Sequence, residues 1–147
     1  MQAVVEFHAF KDNDNRFLIK EFVIVSKYFQ CQIIFKPPYS KDVLNAKMAR
    51  TARWLTRHFH HIKWDEGDVP YDEMLVRRLL SPFDVVYTKG LEKAEFLRSF
   101  HGNVKELVDI KVNIDNISVN CLLSQHSTGR CALRNAKAYY SCMNDGL

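Results

Sequence analysis

An apolar run opens the chain, Val4-Val5-Glu6-Phe7-His8-Ala9-Phe10, and a second one follows it, Phe17-Leu18-Ile19-Lys20-Glu21-Phe22-Val23-Ile24-Val25. The polar segment Lys11-Asp12-Asn13-Asp14-Asn15 separates the two runs, and this pattern predicts a β-hairpin. A short third strand, Gln32-Ile33-Ile34-Phe35, comes next, and Pro37-Pro38 ends it because proline cannot donate to a sheet ladder. The sequence therefore predicts three antiparallel strands at the start of the chain.

After the prolines, the spacing of the apolar residues changes from that of a strand to that of a helix. From Lys41 onward, four apolar side chains recur on one face of a predicted helix: Leu44, Met48, Leu55 and Phe59. Four later elements are also predicted: a helix starting at 71–73, a strand at 83–87, a helix at 90–97 and a closing helix at 131–143. Residues 104–110 fit either a helix or a strand, and residues 111–130 show no clear pattern. This order predicts an α/β fold with a mixed sheet, antiparallel in its first half, and with helices packed around it.

The bulk composition fits one soluble domain spanning residues 1–147. The chain is 47% hydrophobic and 26% charged, and its formal net charge of +4 permits a nucleic acid partner without requiring one. No apolar run approaches the roughly 18 residues of a membrane span, and no N-terminal signal pattern is seen. We therefore expect an intracellular protein, cytoplasmic or nuclear, in which cysteines that cluster bind metal more readily than they form disulfides.

Two cysteines and one histidine lie close together in the sequence ahead of the closing helix: Cys121, His126 and Cys131. Two thiols and an imidazole within eleven residues are typical of a metal site that lacks one ligand. A fourth protein ligand would close a tetrahedral zinc site and make it structural. The alternative is ordinary packing without metal, which we also expect for Cys31 and Cys142.

A second feature is the polar side of the helix that begins near Lys41. Four cations lie on it, roughly opposite the apolar face: Lys47, Arg50, Arg53 and Arg57. Side chains three and four residues apart form a stripe that could follow a phosphate backbone. The simpler alternative is a solvated helix face. The pair His60-His61 beside Trp64 is open to two interpretations as well, a metal or stacking site or one buried and one exposed imidazole.

The order of the predicted elements resembles the RNase H-like fold of the DEDDh proofreading-type exonucleases. Three segments carry the resemblance. Val4-Val5-Glu6-Phe7-His8 is similar to the first motif, where those enzymes have Asp-x-Glu on the first strand. Phe59-His60-His61-Ile62, followed by Val69–Met74, resembles a stretch that those enzymes carry next. Val85–Leu97 resembles their second motif, a strand that leads to an aspartate on a helix.

The departures from that family decide what the resemblance implies about activity. Two-metal cleavage needs several acidic oxygens around two cations about 3.5–4 Å apart. This chain has Glu6 and His8 in the first motif and Lys93 at the position of the second-motif aspartate. Asn135 stands at the position of the last aspartate, and Arg130 at that of the general-base histidine. One acidic ligand of four remains, so we expect no catalytic residues of the DEDDh type.

The C-terminal end resembles the Maelstrom domain of the piRNA pathway more closely. That domain is similar to a DEDDh exonuclease without its catalytic set, and it carries a Glu-Cys-His-Cys zinc site. Here Cys121, His126 and Cys131 precede Ala132-Leu133, and Ala138-Tyr139-Tyr140-Ser141-Cys142 follows on the same helix. The resemblance implies one structural zinc ion with Glu6 as the carboxylate ligand and His8 as its rival, since both lie on one face of the first strand.

Taken together, the sequence predicts a catalytically degenerate, zinc-stabilised, exonuclease-like domain that binds nucleic acid or a protein partner. The resemblance favours single-stranded RNA over DNA, and Lys89 and Lys93 would extend the basic surface near the former substrate groove. Two alternatives stay open. One is a Maelstrom-like RNA nuclease without the two-metal carboxylate site, and the other is a self-associating protein-interaction module.

Overall fold

The computed structural model of the protein describes residues 1–108, 110, 119–123, 126 and 131–145. Within them the chain forms one mixed five-stranded sheet with helices on both of its faces. Arg130, predicted at the position of a general base, lies outside the described residues. The mixed sheet with its helices confirms the predicted α/β class, and the antiparallel pairing of the first three strands confirms the predicted start of the chain.

The strands follow the spatial order β3-β2-β1-β4-β5. Their bounds are β1 Gln2–Lys11, β2 Phe17–Ser26, β3 Gln30–Ile34, β4 Val85–Lys89 and β5 Val104–Leu107. The first three pair antiparallel, whereas β4 pairs parallel with β1 and β5 pairs parallel with β4. Residues 104–110, for which the sequence predicted either a helix or a strand, therefore contribute the strand β5. It forms because its backbone pairs with the edge of β4.

In the described part of the chain, four α-helices accompany the sheet: α1 Ala46–His58, α2 Glu73–Leu80, α3 Leu91–Leu97 and α4 Ala132–Asp145. The predicted start of α1 at Lys41 is too early, since Lys41–Val43 forms a 3-10 turn and Asn45 caps the helix by accepting the Met48 amide at 2.9 Å. Asp72 caps α2 in the same way, through the amides of Met74 and Leu75. None of the described helices combines the length and apolar character that crossing a bilayer requires.

Strand alternation gives β1 two different faces, and the candidate site lies on one of them. Phe7 belongs to a buried cluster with Phe22 of β2 and with residues of α2 and α3. Val4 belongs to a separate cluster with Val23 of β2 and Leu133 of α4. Because side chains two apart share a face of a strand, Glu6 and His8 lie with Val4 on the α4 side. Both are buried.

A bulge in β2 anchors the segment that follows α1. His8 pairs with Glu21 and Ala9 with Ile19, so Lys20 has no partner in β1. The buried Lys20 ammonium donates to the carbonyls of Phe35 at 2.8 Å, Trp64 at 2.7 Å and Glu66. Burial lowers the pKa of Lys20 to about 8. The bulged residue thus ties two loops to the middle of the sheet.

Candidate metal centre and basic helix face

The three predicted ligands from the C-terminal segment meet in the structure. The ligand atoms of Cys121, His126 and Cys131 all lie within 4.8 Å of one another, and Cys121 Sγ is 3.6 Å from His126 Nδ1. Bonds of about 2.0–2.3 Å to a tetrahedral ion place ligand atoms about 3.3–3.8 Å apart. This C-terminal cluster (Cys121, His126 and Cys131) could therefore hold a metal ion.

Cys131 owes its position to α4. It directly precedes the helix, whose Leu133 and Ala136 pack against the sheet, and its sulfur accepts a hydrogen bond from the Arg134 amide. Burial, with a smaller contribution from the neighbouring Cys121, raises the pKa of the Cys131 thiol to about 11. The Cys131 thiol therefore favours its neutral form, and a metal ion beside the sulfur would supply the positive charge that stabilises the thiolate.

Glu21 of β2, which is not among the predicted ligands, lies beside this cluster. Its Oε1 atom is 3.8 Å from His126 Nδ1, and the residue is fully buried. Gln32 Nε2 donates to Oε2 at 2.7 Å, and the Ala132 amide also donates to this carboxyl group, whereas Oε1 lacks a partner of ordinary hydrogen-bond geometry in the described part of the chain. Burial raises the pKa of Glu21 to about 7. A buried carboxylate oxygen without a partner is costly, and a metal ion would satisfy it.

Gln32 of the edge strand β3 connects the carboxylate to the cluster. Its Nε2 also approaches Cys121 Sγ at 3.4 Å, and its Oε1 accepts the amide of Leu122 at 3.1 Å. The amide of Leu123 donates to the same sulfur at 3.3 Å. Supporting contacts of this kind orient the groups that bind a metal.

Two further buried histidines adjoin the cluster. His8, Glu21 and His126 form a second group whose ligand atoms lie within 4.8 Å of one another. The His8 ring centroid is 5.7 Å from that of His126 and 5.5 Å from that of His60. His60 Nδ1 accepts the Ile62 amide at 3.1 Å, and burial lowers the pKa of His60 to about 4, so its imidazole is neutral at pH 7.

Glu6, the predicted carboxylate ligand, belongs to neither of these groups among the residues that the structure describes. Its Oε2 atom lies 3.6 Å from Lys93 Nζ, and its Oε1 accepts the Lys89 amide at 3.3 Å. Burial raises the pKa of Glu6, and the positive charge of Lys93 opposes that rise. The first-motif carboxylate is thus paired with a cation supplied by the protein itself.

The basic face of α1, which comprises Lys47, Arg50, Arg53 and Arg57, is solvent-exposed throughout. None of the four forms an ion pair within the described ranges, and the helix contains no acidic residue. The other two predicted cations are engaged elsewhere. Lys93 pairs with Glu6, and the Lys89 ammonium lies 5.4 Å from the centre of the Tyr139 ring.

Sequence reasoning missed Glu21, Gln32 and the exposed Trp54 of α1. The signal for Glu21 was present, because Lys20 and Glu21 interrupt an otherwise apolar strand. A strand that is buried on both faces reads as a continuous apolar run, so a charge within it must find a buried partner. No comparable signal identified Gln32, whose partners come from distant parts of the chain.

Comparison with known proteins adds no relative. No protein-family model matches the chain, and neither the curated proteins nor the solved structures include a match.

Proposed function

We propose that this chain is a zinc-stabilised, catalytically inactive domain of the RNase H-like type that binds nucleic acid, with single-stranded RNA as the favoured partner. The antiparallel start, the parallel additions and the closing helix agree with the element order that the exonuclease resemblance implies. The metal centre serves the stability of the domain, and the basic face of α1 serves binding.

The proposed zinc ligands are Glu21, Cys121, His126 and Cys131. They form the same Glu-Cys-His-Cys donor set that the Maelstrom resemblance implies, with Glu21 of β2 in the role first given to Glu6. Support comes from the 3.8 Å approach of Glu21 Oε1 to His126 Nδ1, from the membership of His126 in both groups of ligand atoms, and from the lack of an ordinary hydrogen bond to that oxygen among the described residues. Four protein ligands leave no open position for a water molecule, so the ion would be structural.

An inactive nuclease site is supported by the pairing of Glu6 with Lys93. Hydrolysis with two metal ions requires several carboxylates free to coordinate cations. Here the ammonium of Lys93 lies 3.6 Å from the one carboxylate that remains at the expected positions. A positive side chain at this place repels a divalent ion and neutralises Glu6.

The observation that carries the nucleic acid function is the unpaired, acid-free basic face of α1. Exposed cations without protein partners are free to neutralise phosphates and to release counterions. Three or four phosphate contacts to a single strand would give a slope of about −2 to −3 in a plot of log K against log salt.

Binding of labelled single-stranded RNA at several salt concentrations tests this function. We expect salt-dependent binding by the wild type and a loss of most affinity in the double variant Arg50→Glu, Arg57→Glu. The matched control is Lys27→Glu, Lys105→Glu, which changes net charge equally at exposed positions outside α1. If both double variants bind equally, or if affinity ignores salt, the proposal is wrong.

The nuclease alternative has weaker support because the histidines that it would use are buried. His8 is 7% exposed and His60 is fully buried, so a phosphodiester has little access to either. A time course on labelled RNA with the wild type and Glu6→Ala separates the two functions. Cleavage by the wild type that Glu6→Ala lacks would favour the nuclease, and no cleavage by either favours binding.

A further inference from the structure

Trp54 stands at the centre of the basic face and is exposed to solvent. Its exposed fraction is 54%, and its ring centroid lies 5.8 Å from that of His58. Arg50 lies about one turn before it and Arg57 about one turn after it on the same side of α1. The remaining tryptophan, Trp64, is only 4% exposed and donates its indole N–H to the Tyr39 carbonyl at 3.1 Å. Trp54 thus contributes little to the core.

The side chains around Trp54 form a shallow depression on the helix surface. It is lined by Arg50, Arg53, Trp54, Arg57 and His58. The depression therefore combines an aromatic face with guanidinium groups and contains no carboxylate. Arg50 and Arg57 are separated by about 10 Å along the helix axis, with the indole between them.

We infer that Trp54 is a base-stacking platform and that it makes the α1 face a binding site for single-stranded rather than duplex nucleic acid. This inference rests on the proposed nucleic acid function and adds the residue and the strand preference. A base in a single strand can stack on an indole while its flanking phosphates meet Arg50 and Arg57. In a duplex the base faces are covered by their neighbours, so only the phosphate contacts remain.

The charge and the aromatic face together select this partner over an acidic peptide. An acidic peptide would satisfy the guanidinium groups but would leave the indole exposed. A nucleic acid strand satisfies both, because every base has a π-face and every linkage a phosphate. The identity of the sugar makes no contribution to stacking, so RNA and DNA strands should both use Trp54.

The chain provides its own control for a fluorescence experiment because it contains two tryptophans, one exposed and one buried. Wild type, Trp54→Phe and Trp54→Ala are titrated with oligouridylate, oligothymidylate and an RNA duplex, while tryptophan emission and affinity are followed. We expect quenching of the wild type by both single strands and none in Trp54→Phe, where only Trp64 emits. Affinity for the single strands should fall about 5- to 150-fold in Trp54→Ala and much less in Trp54→Phe, which keeps an aromatic face.

The outcomes separate this inference from the function on which it rests. Salt-dependent binding without quenching, with equal affinity for single strands and duplex, overturns the role of Trp54 and leaves nucleic acid binding intact. Failure to bind any of the three probes overturns both. Polyglutamate that displaces oligouridylate and binds as tightly, with Trp54→Ala unaffected, would assign the face to an acidic protein. Circular dichroism of each variant establishes that it is folded, since Trp54 lies outside the core.

Discussion

Glu21 Oε1 lies 3.8 Å from His126 Nδ1, although one residue belongs to the second strand and the other to the C-terminal segment. Gln32 holds the opposite oxygen of the carboxylate and also contacts Cys121. The contact therefore joins three parts of the chain that are distant in sequence. A metal ion at this point would fix the segment before α4 to the middle of the sheet.

Gln32 should raise metal affinity without binding the metal itself. Replacing it with leucine removes one donor to Glu21 and one to Cys121, and loss of such a supporting residue typically weakens binding about 10- to 100-fold. We expect that loss for Gln32→Leu in a competition titration of zinc against a chromophoric chelator. Gln30→Leu is the matched control, because Gln30 lies exposed on the same strand. Equal affinities for the two variants would remove Gln32 from the metal centre.

The stability of the metal-free protein should depend on pH through Glu21. Burial raises its pKa from 4.5 to about 7, so the folded state holds its proton more tightly than the unfolded state. Its favourable contribution is complete below about pH 4.5 and is lost as pH rises through about 7, a change on the order of 3 kcal/mol. Relative to the wild type, metal-free Glu21→Gln should therefore gain stability between about pH 5 and pH 8.

Urea unfolding of both proteins with a chelator present, at several pH values, measures this difference. The comparison with Glu21→Gln is needed because His60, whose pKa is lowered to about 4, changes stability in the opposite direction over the same range. With zinc bound, the wild type should instead become more stable as the pH rises. The reason is that the ligands bind zinc in their deprotonated form, so zinc affinity falls at low pH. If the difference in unfolding free energy between the two metal-free proteins does not change with pH, the pKa of Glu21 is not raised by burial.

Lys93 and Glu6 should be energetically coupled. Lys93→Met leaves Glu6 buried without its cation, and Glu6→Gln leaves the ammonium without its carboxylate, so each change should destabilise the fold. The double variant should lose less than the sum of the single changes, by about 1–3 kcal/mol. Chemical denaturation of the four proteins gives this coupling. Additive losses would show that the 3.6 Å approach contributes nothing to stability.

Gly67 should tolerate no side chain. Its φ of +127° is strained for other residues, and a Cβ atom there would lie 2.4 Å from the carbonyl oxygen of Phe35. That carbonyl also accepts the Lys20 ammonium, so it cannot move without cost. Gly67→Ala should cost at least about 2 kcal/mol in thermal or urea unfolding. Gly102→Ala, with no atom within 4 Å of its Cβ position, should change stability by less than about 0.5 kcal/mol.

The local elements could be predicted because their signals are local. The spacing of apolar residues in the first hairpin and in α1 reflects which side of each element is buried. The helix start was misplaced because Asn45, rather than the first residue of the apolar pattern, accepts the free amide of the first turn. Val104–Leu107 escaped prediction because it is a strand only by virtue of its pairing with β4.

The candidate site could be predicted only in the part that lies close together in sequence. The spacing of Cys121, His126 and Cys131 indicates that they could bind one metal ion, and the structure brings their ligand atoms together. The identity of the fourth metal ligand depends on which side of the sheet each charged strand residue faces. The bulge at Lys20 sets that side for Glu21, and nothing in the local sequence fixes a bulge. Glu6 lies on the α4 side of the sheet, as predicted, but it forms an ion pair with Lys93.

A structural zinc ion held by Glu21, Cys121, His126 and Cys131 would tie the C-terminal segment to the sheet. Its most direct test is the zinc content of protein purified without chelators or metal-affinity columns, measured for the wild type, Cys131→Ser, Glu21→Gln and Glu6→Gln. We predict one zinc per chain in the wild type and in Glu6→Gln, and loss of zinc together with thermal stability in the other two. A wild type free of zinc, or zinc retained in Glu21→Gln and lost in Glu6→Gln, would contradict the proposed centre.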